Sequence, residues 1–155
     1  MILNRQRRVP VATRPLTDFL GRVRSALRLG DRDLTVCLVS DASIARLNRS
    51  FRGKPGPTDV LSFPANGHAA LRRARLSSSS PSSPSSPSST SYLGDIAISP
   101  EAARRNAARF GRTLPQELRV LMLHGVLHLL GYDHEIDRGR MDRVERRLRA
   151  QLGLR

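Results

Sequence analysis

Residues 121–135, LMLHGVLHLLGYDHE, decide the fold because they predict a helix in the core and the turn that ends it. His124 and His128 lie four residues apart in an apolar run, so on a helix they share one face. Gly131 is the residue type that lets a helix end and the backbone turn through positive φ. That turn would bring His134 back beside the other two histidines. Three converging imidazoles describe a zinc site with one position left open for water.

The same residues carry a known ligand spacing. Residues 124–134 follow the pattern H-x-x-x-H-x-x-G-x-x-H, which is the metzincin spacing of zinc proteases. A zinc protease places a glutamate after the first histidine as its base, whereas this chain has Gly125 there. The pattern therefore predicts zinc on His124, His128 and His134 without the protease base. Nickel, copper or iron would also accept these ligands. The alternative is that these histidines lie on a core helix without binding a metal, in which case each imidazole would need a hydrogen-bond partner in an apolar environment.

The charge of the chain favours a polyanionic partner. Twenty-seven lysines and arginines stand against thirteen acidic residues, which gives a net charge of +14 over 155 residues. Such an excess points to RNA or DNA ahead of an anionic membrane. The alternative is a genome whose base composition favours arginine, with the charge serving only solubility.

A metal site beside a basic surface favours phosphodiester hydrolysis over peptide hydrolysis. That reaction builds negative charge on the phosphorus oxygens, which an arginine can meet with a two-pronged hydrogen bond. Residues 52–57, RGKPGP, are expected to form a loop. Arg52 in this loop is the candidate catalytic arginine, while Lys54 beside it is either a phosphate contact or a plain turn residue.

The rest of the composition indicates a protein of the reducing cytoplasm. The single cysteine, Cys37, rules out an internal disulfide and lies in a predicted buried strand. The first fifteen residues contain no apolar run of signal-peptide length. The apolar run near residues 120–130 carries two histidines and is too short to span a bilayer. The oligomeric state is left open by the sequence.

Apolar periodicity predicts the order β-α-β-α-β, insertion, β, then three helices. Strands are expected near residues 2–9, 33–40, 59–63 and 92–99, and helices near residues 15–29, 41–51, 100–110, 113–130 and 137–152. Ser40 or Asp41, Ser99 and Thr113 are the predicted N-caps. The expected fold is an α/β or α+β domain, with a small four-stranded mixed sheet packed by about five helices and the metal site on the penultimate helix and the turn after it.

One insertion interrupts this single domain of residues 1–155 at about residues 67–91. Residues 77–91 contain eleven serines, three prolines and one threonine, which cannot bury enough apolar area to become ordered. A disordered insertion is therefore predicted. His68, next to it, is interpreted as a solvated bystander.

Four carboxylates near these motifs have open roles. Asp59 either braces a strand or acts in chemistry. Asp95 either faces solvent or supports a ligand histidine through a hydrogen bond. Asp133 and Glu135 flank His134 and could support a ligand in the same way or help to move protons.

Taken together, the motifs resemble one family. NRSFRGKPGPTDVLSFP (residues 48–64), LGDIAIS (93–99) and HGVLHLLGYDHE (124–135) are similar to the YbeY endoribonucleases, the bacterial rRNA maturation factors. The resemblance extends to the final helix through Met141 and Glu145, and it covers most of the chain outside residues 66–91.

The resemblance implies a zinc-dependent endoribonuclease specific for single strands. Its expected work is maturation of the small-subunit (16S) rRNA 3′ end and ribosome quality control, so its expected partners are precursor rRNA, the small ribosomal subunit and possible ribosome-associated proteins. It also implies one Zn²⁺ on His124, His128 and His134 and a functionally important arginine at Arg52. Two alternatives stay open: a metallopeptidase, and a non-catalytic ribosome assembly factor with a structural metal.

Overall fold

The computed structural model describes residues 1–65, 92–133 and 135–154. Within these ranges, four strands and five helices follow one another in the predicted order. The strands are β1 (Ile2–Asn4), β2 (Asp33–Leu38), β3 (Val60–Pro64) and β4 (Tyr92–Ile98), and the helices are α1 (Thr13–Ala26), α2 (Asp41–Arg52), α3 (Pro100–Phe110), α4 (Leu114–Leu129) and α5 (Arg140–Leu152). The prediction of a disordered insertion and the interpretation of His68 fall outside the described residues.

The sheet has the order β1-β2-β4-β3, and it is mixed as predicted. β1 and β2 are parallel, β2 and β4 are parallel, and β3 runs antiparallel to β4. The register pairs Val36 with Ile96 and Val60 with Ile98. The residues that flank the insertion therefore belong to two neighbouring strands of one sheet.

Both faces of the sheet are packed by helices. Ile96 and Ile98 of β4 join the main core, which is built around α4 and also takes apolar residues from α1 and α5. Ala97 instead joins a smaller cluster with Ile44 of α2 and with Phe63 of β3. Because successive strand residues point to opposite faces, α2 covers one face and α4 lies on the other. α4 is thus the central helix that the sequence predicts.

Three helices begin at the predicted polar caps. The side chains of Ser40, Ser99 and Thr113 accept hydrogen bonds from the backbone N–H groups of Ser43, Ala102 and Gln116, respectively. These bonds satisfy donors that have no partner inside the helix. At Thr113 the Gln116 side chain completes a capping box. Local sequence chemistry therefore positions the starts of α2, α3 and α4.

Three predicted elements were too long at one end. α5 begins at Arg140 and not near Asp137, because the Asp137 side chain accepts hydrogen bonds from Gly139 N–H and Met141 N–H in a turn before the helix. β1 ends at Asn4 and not near Val9, because the Gln6 side chain bonds both the N–H and the carbonyl of Val9 and closes a turn there. α1 ends at Ala26 and not just before Gly30, because Arg28 already adopts a left-handed backbone with φ of 51°. In the described ranges, we find no helix with the length and apolarity needed to cross a membrane.

Candidate metal centre

The two helical histidines face each other on α4. Their Nε2 atoms lie 3.1 Å apart, and the two rings are inclined at 75° with centroids 4.7 Å apart. Both side chains are partly exposed. The four-residue spacing of His124 and His128 therefore produces the shared face that the sequence predicts.

A carboxylate on α5 fixes the orientation of His124. Its Nδ1 lies 2.9 Å from Oε2 of Glu145, and the other oxygen of Glu145 accepts a 2.6 Å hydrogen bond from Arg149. An ionised carboxylate can only accept, so the Nδ1 of His124 donates to Glu145, and in the neutral imidazole this leaves the lone pair on Nε2. Burial raises the pKa of Glu145, but the hydrogen bond from His124 and the charge and hydrogen bond of Arg149 outweigh burial and hold this pKa below its ordinary value.

These donors fit a zinc ion. Two imidazole nitrogens bound to tetrahedral zinc at about 2.0–2.1 Å stand roughly 3.3 Å from each other, which is close to the 3.1 Å between His124 and His128. A carboxylate behind the ligand histidine is the usual support in such sites. In the described residues, no group of three or more His, Cys, Asp or Glu side chains is placed to hold a metal. His134, the predicted third ligand, lies outside those residues.

The histidine pair opens into a cavity of about 410 Å³. Its walls come from the end of α2, from the loop and strand around β3, from α4, and from the segment after α4. The lining residues are Arg52, Thr58, Asp59, Val60, Leu61, Ser62, Pro64, His124, His128, Asp133 and Glu135. This set, called the histidine cleft below, brings the predicted arginine to the same cavity as the two histidines.

Arg52 reaches the cleft from a helix and not from the predicted loop. It is the last residue of α2, and Gly53 ends the helix with a left-handed backbone at φ of 63°. The helix continues one residue further than predicted because the glycine cap follows Arg52 and does not precede it. Lys54 is exposed and does not belong to the described lining of the cleft.

The turn after α4 also forms as predicted. Gly131 has φ of 93°, and Tyr132 N–H bonds back to the carbonyl of Leu127. The chain then returns to the histidine cleft, because Asp133 and Glu135 both line it. The residues on either side of position 134 therefore border the same cavity as the helical histidines.

The structure gives contacts for Asp59 and Asp95, the two other carboxylates whose roles the sequence left open. Asp59 braces the entry to β3, since its side chain accepts hydrogen bonds from Val60 N–H and from the Asn106 amide. Asp95 accepts a hydrogen bond from the Tyr92 hydroxyl, at 2.8 Å, and is not part of the described cleft lining. Among the contacts of the described residues, the carboxylate that bonds a histidine is Glu145, whose position on the buried stripe of α5 with Met141 was the available sequence signal.

Position 125 explains why the protease base is missing. Gly125 is buried, and a Cβ atom added there would lie 2.8 Å from Cγ2 of Ile96 on β4. The helix therefore touches the sheet at this point, and a glutamate side chain would enter the core and not the histidine cleft. The ligand spacing is that of a zinc protease, but the packing at position 125 leaves no room for the protease base.

Gly125→Ala is expected to lower the free energy of unfolding by about 1–3 kcal/mol, because the new methyl group overpacks against Ile96. Gly21→Ala is the matched control, since Gly21 is exposed in the middle of α1 and a Cβ there meets no described atom within 4 Å. It should gain about 0.5–1 kcal/mol. Urea denaturation measures both. Equal stabilisation by the two substitutions would contradict the tight contact at Gly125.

Comparison with known proteins identifies the family of this chain. The family model for Endoribonuclease YbeY matches residues 2–153. A protein named Endoribonuclease YbeY from Solibacter usitatus is 43% identical over 150 residues, covering 96% of this chain and 86% of the relative. One from Koribacter versatilis is 38% identical over 156 residues, covering 99% and 86%, respectively. The solution structure of TM1509 from Thermotoga maritima matches with a TM-score of 0.59 and 28% identity, covering 98% of this chain and 89% of that one.

Fold and cleft together define an α/β protein with a carboxylate-backed histidine pair and an arginine in one cavity. Neither the sheet order nor the histidine pair is specific to one activity. The family match over nearly the whole chain supplies the identity. The chain belongs to the endoribonuclease YbeY family.

Proposed function

We propose that this protein is a zinc-dependent endoribonuclease that cuts single-stranded RNA and acts in maturation of the small-subunit rRNA 3′ end and in ribosome quality control. The observation that carries the proposal is the pair of Nε2 atoms, 3.1 Å apart and backed by Glu145, in a cleft that also contains Arg52. The names of the relatives support RNA cleavage. The net charge of +14 fits a substrate made of phosphates.

His124, His128 and His134 are the residues that would hold the zinc ion. His134 is included because Asp133 and Glu135, its two neighbours, line the histidine cleft. When bound, zinc would supply a Lewis acid for the phosphoryl oxygen and a lowered pKa for water. The pattern of neutral imidazoles with a carboxylate behind one of them is suited to zinc.

The side chains of the cleft would do the remaining work. Arg52 would bind the phosphorus oxygens through its planar fork and meet the negative charge that develops there during cleavage. Asp133 and Glu135 lie in the same lining and are the candidates for accepting a proton from the attacking oxygen. The protein would meet its substrate on the small ribosomal subunit in the cytoplasm, together with possible ribosome-associated proteins.

A metallopeptidase is disfavoured by one contact. The residue type that a zinc protease needs at position 125 would collide with Ile96. An unstructured peptide therefore serves as a negative control and should stay uncut. Chelator-sensitive cutting of such a peptide would count against RNA as the substrate.

The purified protein is expected to contain zinc and to cut a single-stranded RNA that carries the precursor 3′ end of the small-subunit rRNA. The same sequence annealed into a duplex should stay intact. Elemental analysis and gel electrophoresis of end-labelled RNA measure these results. A chelator should stop cleavage and added zinc should restore it. Full cleavage by zinc-free protein would contradict the proposed zinc dependence. Equal cleavage of unrelated single-stranded RNAs would contradict the proposal that precursor rRNA is the substrate.

A further inference from the structure

A second cavity, of about 300 Å³, adjoins the histidine cleft. The two cavities share Asp59, Val60 and His124 in their walls. The second cavity, called the Phe110 cavity below, is lined by Asp59, Val60, Asn106, Phe110, Arg112, Glu117, Val120, Leu121, His124, Glu145 and Arg149. The two cavities therefore lie next to each other at His124.

The rim of this cavity carries an exposed aromatic ring. Phe110, the last residue of α3, is 56% exposed, whereas the other three phenylalanines, Phe19, Phe51 and Phe63, are buried or half-buried. The guanidinium carbons of Arg109 and Arg112 lie 5.7 and 5.3 Å from its ring centroid. More than half of the residue stays open to solvent beside both cations. An exposed ring with arginines around it is the arrangement on which proteins stack unpaired bases.

The charges inside the Phe110 cavity favour a neutral ring over a phosphate. Its lining has three carboxylates and two guanidiniums, so the carboxylates are in excess by one. Each carboxylate already has a partner: Glu117 pairs with Arg112 at 2.8 Å, Glu145 with Arg149 and His124, and Asp59 with Asn106. A phosphate entering this lining would meet a net negative charge. The side-chain amide of Asn106 is the neutral group in the wall that can both donate to and accept from a base edge.

We propose that the Phe110 cavity binds one nucleobase of a single-stranded RNA, next to the phosphate held in the histidine cleft. The base stacks on Phe110, and Arg109, which is exposed beside the Phe110 ring, meets the backbone phosphate outside the cavity. This inference rests on the proposed endoribonuclease function and extends it. A base can enter the cavity only when it is unstacked and unpaired, so the subsite gives a physical reason for preferring single strands to duplexes.

The test measures binding of a short 2′-O-methyl single-stranded RNA to the full-length protein by fluorescence anisotropy, so that binding is separated from cleavage. Phe110→Ala is expected to weaken binding about 5- to 100-fold, the usual effect of removing one stacking partner. Phe110→Trp should keep wild-type affinity or exceed it. Phe110→Leu keeps apolar bulk without a π face, so it should behave like the alanine variant.

Three further arms separate stacking from other effects. In a set of oligonucleotides, each lacks the base at one position of the strand. Wild type should bind one member of the set more weakly than the complete strand. Phe110→Ala should bind that member almost as well as it binds the complete strand. Arg109→Ala should lower the slope of log affinity against log salt by about one, whereas Phe110→Ala should leave that slope unchanged. Ile136→Ala, which truncates an 80% exposed apolar side chain outside both described linings, should bind as wild type does.

Unchanged affinity of Phe110→Ala, with wild type binding and cutting RNA normally, would overturn the base subsite and leave the endoribonuclease standing. The reverse result, Phe110-dependent binding without any zinc-dependent cleavage, would support the subsite and overturn the proposed activity. Equal losses for Phe110→Ala and Ile136→Ala would overturn the subsite, because they would show a general effect of surface apolar area.

Discussion

His128→Ala is expected to lose bound zinc and to cut RNA at least about a thousandfold more slowly, since metal-assisted catalysis contributes several kcal/mol to the transition state. The substitution removes one of the two Nε2 atoms that stand 3.1 Å apart, while His124 keeps its hydrogen bond to Glu145. His128 is partly exposed on α4, so the fold should survive. Elemental analysis, circular dichroism and the rRNA cleavage assay measure the three quantities.

Glu145→Gln supplies a graded control for that result. It keeps the ligand histidines and removes only the charge of the carboxylate that orients His124, so zinc should bind about 10- to 100-fold more weakly. Excess zinc should then rescue Glu145→Gln but not His128→Ala. If His128→Ala retained one zinc per chain and normal cleavage, the histidine pair would not be the metal centre.

The same variant separates an enzyme from a non-catalytic assembly factor. A factor with a structural metal would lose its fold, or keep its function, when a ligand is removed. The proposal instead expects His128→Ala to fold, to remain bound to precursor RNA, and to leave the small-subunit rRNA 3′ end unprocessed in cells. Normal processing in cells that carry only this variant would show that cleavage by this site is not needed.

The sequence predicted those parts of the site that depend on local geometry. The pairing of His124 with His128 follows from helical periodicity, and the turn at Gly131 follows from the freedom of glycine at positive φ. The N-caps at Ser40, Ser99 and Thr113 were predictable for the same reason, because a cap bonds a backbone group only a few residues away.

Contacts between distant segments were beyond the sequence. Glu145 lies 21 residues after His124, and only the packing of α5 against α4 brings its carboxylate to the imidazole. Its neighbours on the apolar stripe of α5 show that it is buried, but not what it touches. The sequence offered Asp95 for the same role, and the contact described for its side chain is the hydrogen bond that it accepts from Tyr92.

Gly125 and Phe110 show two kinds of information that only the fold adds. At Gly125, the sequence showed that a protease base is absent, and the 2.8 Å approach of Ile96 gives the steric reason. At Phe110, the helical pattern gave no sign of function. The proposed role of Phe110 rests on the cavity that α3 and α4 line together with Asp59 at the start of β3.

Arg52→Glu is expected to retain zinc and to lower the rate of RNA cleavage about 100- to 1,000-fold, the usual effect of removing one donor that stabilises developing charge. Arg52 lies in the wall of the histidine cleft at the end of α2, and it is exposed, so neither the metal ligands nor the core depends on it. The glutamate also repels phosphate. Zinc content, melting temperature and the cleavage rate at saturating RNA are the measurements.

Two neighbouring variants identify what the arginine contributes. Arg52→Lys keeps the charge but loses the planar fork, so a partial loss, between wild type and Arg52→Glu, would indicate two-pronged binding of the phosphorus oxygens. Lys54→Ala removes the nearby exposed cation that lies outside the described cleft lining, and it should change the rate less than about threefold if only general attraction is lost. Normal cleavage by zinc-loaded Arg52→Glu would show that Arg52 has no catalytic role. Equal losses of cleavage rate for Arg52→Glu and Lys54→Ala would show that Arg52 acts through the general positive field of the surface and not through a specific contact. A charge that acts only by such attraction need not lie in the cleft.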